Sequence, residues 1–431
     1  PPPPAAAAAN PASAAAASPP PLLAPPPPPP RPPLQSRTSR LPTVAETRLA
    51  ATAGTCAVMG TASTMAIIAE VLGMSLPGTA AIPAVAAERL VAAEETGRAA
   101  VRLLSHPMRP SQIITEKSVE NALRVLMAVS GSTNAVIHLA AIAGRRGLRI
   151  SEARLNEISD ETPVLVDLKP VGVGYLEDFH AAGGVGALLR ALKPLLHLDT
   201  VDVLGQTLEE RLASPLDWVD EDVIRPFDRP VSPQGGLIAL TGNLAPKGAL
   251  FKRAAATPGL FESEGRAVVF DSLEDLAARV DDPDLEIAEG DIMVLKNAGP
   301  VAAGMPEAGY LPIPKKLARA GVKDIVRISD ARMSGTAFGT IVLHIAPETA
   351  RGGPLAAVES GDRIRLSVRE KRIDLLVDAD EIARRLAGHR PPLPPARGYR
   401  GLYARSVTQA PEGCDFAFLH HESTARWEDE Q

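Results

Sequence analysis

The sequence predicts an α/β protein of two domains, the second of them a barrel-like arrangement of short strands and helices. The chain has 431 residues, which is enough for two hydrophobic cores. After residue 226, apolar runs of strand length alternate with amphipathic segments of helix length. Prolines are spaced along residues 226–233, and we place the boundary between the two domains at this linker.

The predicted regions are residues 1–48, 49–225, 226–400 and 401–431. Residues 1–48 consist largely of proline and alanine runs. They lack the varied apolar side chains that a core needs, so we expect them to be disordered or to form polyproline II. The second and third regions are the two domains, and the fourth is a C-terminal tail.

Composition and charge narrow the class of protein further. The formal net charge is −6 and the pI is about 5.9, which argues against a nucleic-acid or anionic-membrane partner. No uninterrupted apolar run reaches the length of a membrane span. Two cysteines make no disulfide framework, which fits a reducing compartment. We expect a cytoplasmic protein, or a mitochondrial or plastid one if residues 1–48 are a transit peptide.

The first domain is predicted to be mainly helical. The predicted elements are helices over 84–104, 111–129 and 207–216 and a short strand over 165–170. A further helix follows Gly131, with Ser132 or Thr133 as its N-cap. His138 lies on this apolar helix. We interpret it as a buried histidine with satisfied hydrogen bonds rather than as a metal ligand. The glycine-rich segment 183–186 fits a tight turn better than a phosphate-binding loop.

The second domain is predicted to contain a series of short strands. Apolar runs indicate strands over residues 237–240, 266–270, 291–295, 324–328 and 341–345. Residues 364–368 and 373–377 alternate apolar and polar side chains, so we expect a hairpin with its turn at 369–372. Ser272 is the predicted N-cap of one helix, and Asp378 or Asp380 that of the last. Short strands mixed with short helices favour a barrel-like domain.

One of the two cysteines lies in a stretch of small residues. The stretch reads Gly54-Thr55-Cys56-Ala57-Val58-Met59-Gly60-Thr61-Ala62-Ser63-Thr64-Met65. It runs into a helical pattern that Thr61, Ser63 or Thr64 could cap, and the helix dipole would favour the Cys56 thiolate. A thiolate is the form that binds metal, but a cysteine among small apolar residues is also commonly a buried hydrophobic residue. The pattern alone leaves both roles open.

Two polar loops follow predicted strands of the second domain. Glu307 follows the strand at 291–295 and a glycine-bearing loop. A carboxylate there would suit Mg²⁺, although a solvated loop glutamate also fits the pattern. The second loop reads Ser329-Asp330-Ala331-Arg332-Met333-Ser334-Gly335-Thr336. It presents Ser334 in a turn, and Gly335 would allow a ligand to approach closely.

The amino-acid sequence of these stretches resembles that of the dihydroxy-acid and sugar-acid dehydratases, and the resemblance runs from about residue 53 almost to the C-terminus. The resemblance is carried by residues 54–65, 72–77, 241–249 and 329–336. It implies a truncated α/β N-terminal dehydratase domain followed by a swivelling β/α barrel-like C-terminal domain. The sequence of residues 329–336 resembles the sugar-acid branch, which includes arabinonate and xylonate dehydratases, more than the branched-chain amino-acid branch.

The resemblance also implies roles for individual residues. Cys56 would be a ligand of an iron–sulfur cluster, 2Fe-2S rather than 4Fe-4S, and Glu307 would bind Mg²⁺. The loop before Glu307 is one residue shorter than in the family. Ser334 would be the general base, and Gly335 and Thr336 would contact the substrate. The implied reaction is dehydration of a 2,3-dihydroxy sugar acid to a 2-keto-3-deoxy acid by a homodimer or homotetramer.

Family members carry a further N-terminal region with two more cluster cysteines and most magnesium ligands. This sequence has only one other cysteine, Cys414, which the resemblance does not make a cluster ligand and which we interpret as structural. Our hypothesis is therefore that the chain as written does not hold a stable cluster. The alternatives are a dihydroxy-acid dehydratase of branched-chain amino-acid synthesis, and an inactive remnant or fragment with a structural or assembly role.

Overall fold

The second half of the chain forms a closed barrel of eight short strands. The computed structural model describes residues 54–216, 218–306, 311–391 and 393–420. Within them the strands are β1 (Ile238–Gly242), β2 (Ala245–Phe251), β3 (Glu262–Phe270), β4 (Ile292–Leu295), β5 (Arg327–Ser329), β6 (Ile341–Leu343), β7 (Arg363–Ser367) and β8 (Arg372–Leu375). Around the barrel they follow the order β1-β2-β6-β5-β4-β3-β7-β8.

Helices make up most of the chain before the barrel and also flank it. Those before it are α1 (Thr61–Val71), α2 (Ala87–Arg102), α3 (Pro110–Ile113), α4 (Glu116–Ala128), α5 (Asn134–Gly144), α6 (Glu152–Glu161), α7 (Leu176–Ala181), α8 (Gly184–Ala191) and α9 (Leu208–Arg211). The others are α10 (Leu273–Arg279), α11 (Pro300–Ala303), α12 (Lys315–Arg319), α13 (Ala379–Gly388) and α14 (Gly398–Ser406). Among these described helices, none has the length and apolar character to cross a membrane.

Helix α4 lies at the centre of the first hydrophobic core. Every residue from Ser118 to Ala128 is buried, and α1, α5 and α6 pack against the helix. Thr115 caps it by accepting a hydrogen bond from the Ser118 backbone N–H. The surrounding cluster is mainly Ala, Val, Leu and Ile, with Phe179 buried among them. Aliphatic packing therefore fills this core, as the low aromatic content requires.

Alternate residues of the barrel strands pack into two different clusters. In β4, Ile292 and Val294 belong to a cluster that takes residues from all eight strands. Met293 and Leu295, which point the other way, pack with Leu276 of α10 and with α12. This division follows the two-residue period of a strand and explains why all of β4 is buried.

The parallel part of the barrel places three segments at one edge. Strand β4 pairs in parallel with β3 and β5, and β5 pairs in parallel with β6. Parallel strands end at the same edge of a sheet, where ligands commonly bind in α/β proteins. The segments that follow β4, β5 and β6 therefore emerge side by side, and the first two carry the loops singled out above.

Most predicted helices and strands of the described residues are confirmed, but the strand predicted at 324–328 is observed at Arg327–Ser329, and three other elements differ. The predicted helix at 111–129 is broken, because Ile114 is extended between α3 and α4. The predicted helix at 207–216 is only the four-residue α9. Residues 165–170 form no regular strand, and Val164 and Val166 make only isolated bridges. Ser272 and Asp378 do cap their helices as predicted, each accepting a backbone N–H bond.

Several elements were not predicted, among them α6, α11, α12, β2 and α14. Strand β2 contains Pro246 and Gly248, which weaken a strand pattern, yet it pairs with β1 and β6. Helix α14 covers the start of the predicted tail at 401–431, and Val407 then bridges Phe416. The α/β class with a barrel is confirmed. The swivelling of that domain and the boundary at 225/226 stay predictions, and residues 1–48 and 421–431 lie outside the described residues.

Candidate functional site

Ser334 lies in a turn that follows strand β5, and its side chain is exposed. Its Oγ lies 2.9 Å from Thr336 Oγ1, and the Thr336 backbone N–H donates to it at 3.4 Å. The Ala337 N–H donates to the Ser334 carbonyl oxygen at 2.9 Å and closes the turn. The turn therefore holds a hydroxyl toward solvent with a second hydroxyl beside it.

Asp330 joins the three segments that leave the parallel strands. It is 1% exposed and accepts hydrogen bonds from the Ala298 N–H, after β4, and the Thr349 N–H, after β6, both at 2.9 Å. Burial raises the pKa of its carboxyl group to about 6, against the lowering effect of these two bonds. One buried carboxyl group thus fixes the base of the Ser334 turn to both neighbouring segments.

Glu348 supports the loop that leads to Glu307. It is 1% exposed and accepts from the Val301 and Ala302 N–H groups in the first turn of α11, at 2.9 and 3.1 Å. Gln409 Nε2 donates to the same carboxylate at 2.7 Å. Glu307 itself lies outside the described residues, so its predicted role as a magnesium ligand stays a prediction.

Arg332 connects the two loops directly. Its Nε donates to the Met305 carbonyl oxygen at 2.6 Å, two residues before Glu307. Arg332 belongs to the segment between Asp330 and Ser334, so the turn and the end of the described part of the Glu307 loop are fixed relative to each other. In the sequence, Ser334 is two residues after Arg332, and Glu307 is two residues after Met305.

Cys56 lies on an exposed loop just before helix α1. Its neighbours are tied to one segment: the Met59 N–H donates to the Lys169 oxygen at 2.8 Å, and the Leu176 N–H donates to the Ala57 oxygen at 2.7 Å. The thiol is therefore held on a tethered loop but is open to solvent. The interpretation of Cys56 as a small buried hydrophobic residue is wrong for this structure.

The predicted side-chain cap of helix α1 is also wrong. The N-cap is Gly60, and no side chain caps the first turn. The hydroxyls of Ser63 and Thr64 instead donate to the Gly60 carbonyl oxygen, at 3.2 and 2.7 Å. They act as donors to the chain entering the helix, so they do not satisfy the first backbone N–H groups of α1.

The start of helix α1 packs against the Ser334 turn. A Cβ on Gly60 would lie 3.2 Å from Thr336 Cγ2, and a Cβ on Gly335 would lie 2.6 Å from Ser132 Oγ. Gly335 is thus needed for close packing on Ser132, while its role in substrate binding stays a prediction. The structure brings the segment that contains Cys56 and the turn that contains Ser334 to one place.

Helix α5 also begins at this turn. Asn134 Nδ2 donates to the Met333 carbonyl oxygen at 2.9 Å and to Thr61 Oγ1 at 3.1 Å. Ser132 Oγ accepts from the Asn134 backbone N–H at 3.1 Å, although the helix N-cap residue is Thr133. A fully buried amide therefore links the first residue of α5 to both α1 and the Ser334 turn.

Lys252 approaches the same turn from the barrel. It follows strand β2, is only 7% exposed, and donates from Nζ to the Gly335 carbonyl oxygen at 3.2 Å. Burial lowers the pKa of its ammonium group to about 8. Sequence reasoning missed Lys252 and Asn134, although a lysine directly after the apolar run at 249–251 was a usable signal.

The described residues do not fit an iron–sulfur cluster. A cluster usually needs four thiolates, or in some centres two thiolates and two imidazoles. Within residues 54–420, apart from the undescribed gaps, no group of three His, Cys, Asp or Glu side chains could hold a metal ion. Cys56 is one exposed thiol. No reaction step through a cluster is derived from this arrangement, and the iron–sulfur and Mg²⁺ assignments stay predictions.

The other cysteine and His138 have ordinary packing environments. Cys414 Sγ lies 3.5 Å from Met305 Sδ, and burial raises the pKa of its thiol to about 12. A protonated thiol against a methionine is consistent with the structural interpretation of Cys414. His138 is half-buried rather than fully buried on α5.

The amino-acid sequence places the chain in a known class of proteins. It belongs to the dihydroxy-acid/6-phosphogluconate dehydratase family: the N-terminal family model matches residues 38–211 and the C-terminal one matches residues 222–414. Both family domains are therefore represented, each by more than 170 residues. The family resemblance inferred from the motifs is confirmed.

Named relatives narrow the comparison. A 6-deoxy-6-sulfo-D-gluconate dehydratase of Pseudomonas putida is 48% identical over 85% of this chain and 64% of its own length. An L-arabinonate dehydratase of Rhizobium leguminosarum is 46% identical over 87% and 65%. A dihydroxy-acid dehydratase of Pyrococcus abyssi is 41% identical over 84% and 66%. The chain spans about two thirds of the length of the curated relatives it matches.

Proposed function

We propose that this chain acts as a hydro-lyase that dehydrates a 2,3-dihydroxy sugar acid to a 2-keto-3-deoxy acid. The observation that carries the proposal is the contact between the start of helix α1, after Cys56, and Thr336 beside Ser334. The relatives named for sugar acids are 46–48% identical, against 41% for the dihydroxy-acid dehydratase. This difference supports the sugar-acid substrate.

In the proposed reaction, Ser334 Oγ removes the proton from C2 of the substrate. The C3–O bond breaks, the hydroxide leaves and the electron pair of the C2–H bond forms the C2–C3 double bond. The enol then tautomerises to the ketone, so that the net change is loss of one water. Thr336 supports the base, because its hydroxyl and its N–H both lie within hydrogen-bond distance of Ser334 Oγ.

Cofactors and assembly are part of the proposal. Cys56 would be one ligand of an iron–sulfur cluster, and Glu307 would be one ligand of Mg²⁺. The support for Cys56 is its exposed thiol on a tethered loop. A homodimer or homotetramer is proposed from the family resemblance, and sedimentation velocity would measure it.

Turnover of defined substrates tests the proposal. The purified chain would be incubated with iron, sulfide and Mg²⁺ without oxygen, then given L-arabinonate or 2,3-dihydroxyisovalerate. The proposal predicts a 2-keto-3-deoxy acid from L-arabinonate, detected by mass spectrometry, whereas the hypothesis that the chain holds no stable cluster predicts no product. Ser334→Ala should lose about 10²–10⁴-fold in rate, because it removes the general base. Ser105→Ala changes an exposed serine that is far from Ser334 in the sequence. It is the matched control and should keep the rate.

The outcomes separate the possible substrates. Faster turnover of dihydroxyisovalerate would favour the branched-chain amino-acid branch over the sugar-acid branch. If neither compound gives a product, the proposal for this chain is contradicted. A visible spectrum of the reconstituted protein beside Cys56→Ser tests the cluster separately, since a signal that depends on Cys56 would support the ligand assignment.

A further inference from the structure

Lys252 is a buried cation without an ion-pair partner among the described residues. Among the described residues, the one hydrogen bond of its ammonium group goes to the carbonyl oxygen of Gly335, the residue after Ser334. The side chains that meet this turn from the first domain, Ser132 and Asn134, are uncharged. A lysine with a single backbone acceptor is therefore the charged group that contacts the turn from the barrel side.

A purely structural role explains this lysine poorly. Burying an ammonium group without a carboxylate is unfavourable, and the low pKa of Lys252 reflects that cost. A methionine of similar length would fill the same space without the charge. Buried lysines in such surroundings commonly serve a reactive group.

Two helix ends beside the turn have the same electrostatic sign as Lys252, whereas the buried Asp330 carboxyl group beneath the turn has the opposite sign when it is ionised. Helices α1 and α5 each have eleven residues, and neither has a side-chain cap at its N-cap position. Both helices begin beside the turn, since a Cβ on Gly335 would lie 3.1 Å from the Thr61 N atom and Asn134 contacts Met333. The N-terminal end of a helix carries partial positive charge. These ends add to the positive charge of Lys252.

We propose that Lys252 is a positioning residue for Ser334, holding the turn through Gly335 and favouring the deprotonated Ser334 hydroxyl by its charge. This inference rests on the proposed role of Ser334 as the general base. The Lys252 ammonium group lies 3.2 Å from the carbonyl oxygen of the residue next to Ser334, and a nearby positive charge favours the anionic form of a hydroxyl. Lys252 neither touches the substrate nor transfers a proton in this scheme.

The test measures the reactivity of Ser334 rather than turnover. The chain, in EDTA, is treated with a fluorophosphonate, which phosphonylates activated serines with loss of fluoride. Mass spectrometry of the Ser334 peptide gives the labelling rate between pH 6 and pH 9. We expect Lys252→Met to slow labelling about tenfold at pH 7, which corresponds to one pKa unit of the hydroxyl, and to move its pH midpoint upward. Lys252→Arg should keep most of the rate.

Matched variants isolate the charge of Lys252. Lys247→Met removes the same charge from an exposed position on strand β2, which Lys252 follows, and should leave the labelling rate unchanged. Ser334→Ala identifies the labelled peptide, and exposed Ser105 reports the rate of an ordinary serine. Other titratable groups on the elements that meet the turn are the same in every variant; they are Cys56, Glu70, His138, Lys247 (except in its own variant), Asp330 and Arg332.

Each outcome bears on the inference. It is overturned if Lys252→Met labels as fast as the wild type, or if wild-type Ser334 reacts no faster than Ser105. It is also overturned if Lys252→Met loses its cooperative thermal transition, since the lysine would then be structural; we expect its Tm to rise instead. Labelling requires neither metal nor turnover. Lysine-dependent labelling in a chain that forms no product would reject the proposed function while showing that Lys252 still sets the reactivity of the Ser334 hydroxyl.

Discussion

The Ser334 turn and the Cys56 loop carry the two most specific motifs of the chain, but they are supported in different ways. The turn is fixed from beneath by Asp330 and from the side by Lys252 and Asn134, all of them buried. The Cys56 loop is held by two backbone hydrogen bonds, and its thiol is exposed. The barrel therefore preorganises its own part of the site, whereas Cys56 is presented without ligand partners among the described residues.

The largest effect should come from the support of the Glu307 loop. Glu348→Ala removes the acceptor of the Val301 and Ala302 N–H groups and leaves them and Gln409 unpaired. Leaving a buried network incomplete costs about 3–5 kcal/mol, which urea unfolding would measure. Exposed Glu289→Ala should stay within about 0.5 kcal/mol. Equal effects of the two variants would show that Glu348 has no supporting role.

Lys252→Met should stabilise the protein at pH 7, by about 3 kcal/mol. The pKa of Lys252 falls from 10.5 to about 8 on folding, so below pH 8 the native state carries the cost of the buried charge. As the pH rises from 8 to 10.5, the lysine loses its proton in the native state first and that cost disappears. Chemical unfolding at pH 7 and pH 10 would show the advantage of the variant shrinking.

Lys247→Met is the control for this change, because Lys247 is exposed on strand β2, which Lys252 follows in the chain. It should alter the free energy of unfolding by less than about 0.5 kcal/mol at either pH. Destabilisation by Lys252→Met at pH 7 would contradict the interpretation that Lys252 is retained for the site rather than for stability.

The parts of the fold predicted from the sequence are those with strong local patterns. The strands at 292–295 and 341–343 are short apolar runs, and the hairpin of β7 and β8 alternates clearly. Strand β2 was missed because its register depends on pairing with β1 and β6, which outweighs the local effect of Pro246 and Gly248.

The candidate site divides in the same way. Ser334 and Cys56 were found because each lies in a distinctive local sequence motif. Lys252 and Asn134 were not, because their importance depends on contacts with residues about 80 and 200 positions away. Neither spacing nor composition reports such contacts. The position of Ser63 and Thr64 near the start of helix α1 also led to a wrong prediction. Their hydroxyls donate to carbonyl groups instead of capping the helix.

Asp330 should give the wild type a pH dependence that Asp330→Asn lacks. Its pKa rises from 3.8 to about 6 on folding, so the native state binds a proton more tightly. The resulting stability is fully present below pH 3.8 and is lost as the pH rises through 6, a change of about 2–3 kcal/mol. The difference in unfolding free energy between wild type and variant, measured from pH 4 to pH 7, should change by that amount. A constant difference would mean that Asp330 ionises normally in the native state.

The smallest effect on stability is expected at Cys56, and it sharpens the comparison most directly. Cys56→Ser should change the free energy of unfolding by less than about 0.5 kcal/mol, because the side chain is exposed. The thiol should nevertheless react quickly with a disulfide reagent such as 5,5′-dithiobis(2-nitrobenzoic acid). Cys414 should react only on unfolding, since burial raises the pKa of its thiol to about 12. One fast thiol, absent from Cys56→Ser, would confirm that the loop presents its sulfur to solvent. Two slow thiols would mean that Cys56 is covered in solution, and the description of its loop as presenting an open thiol would then be wrong.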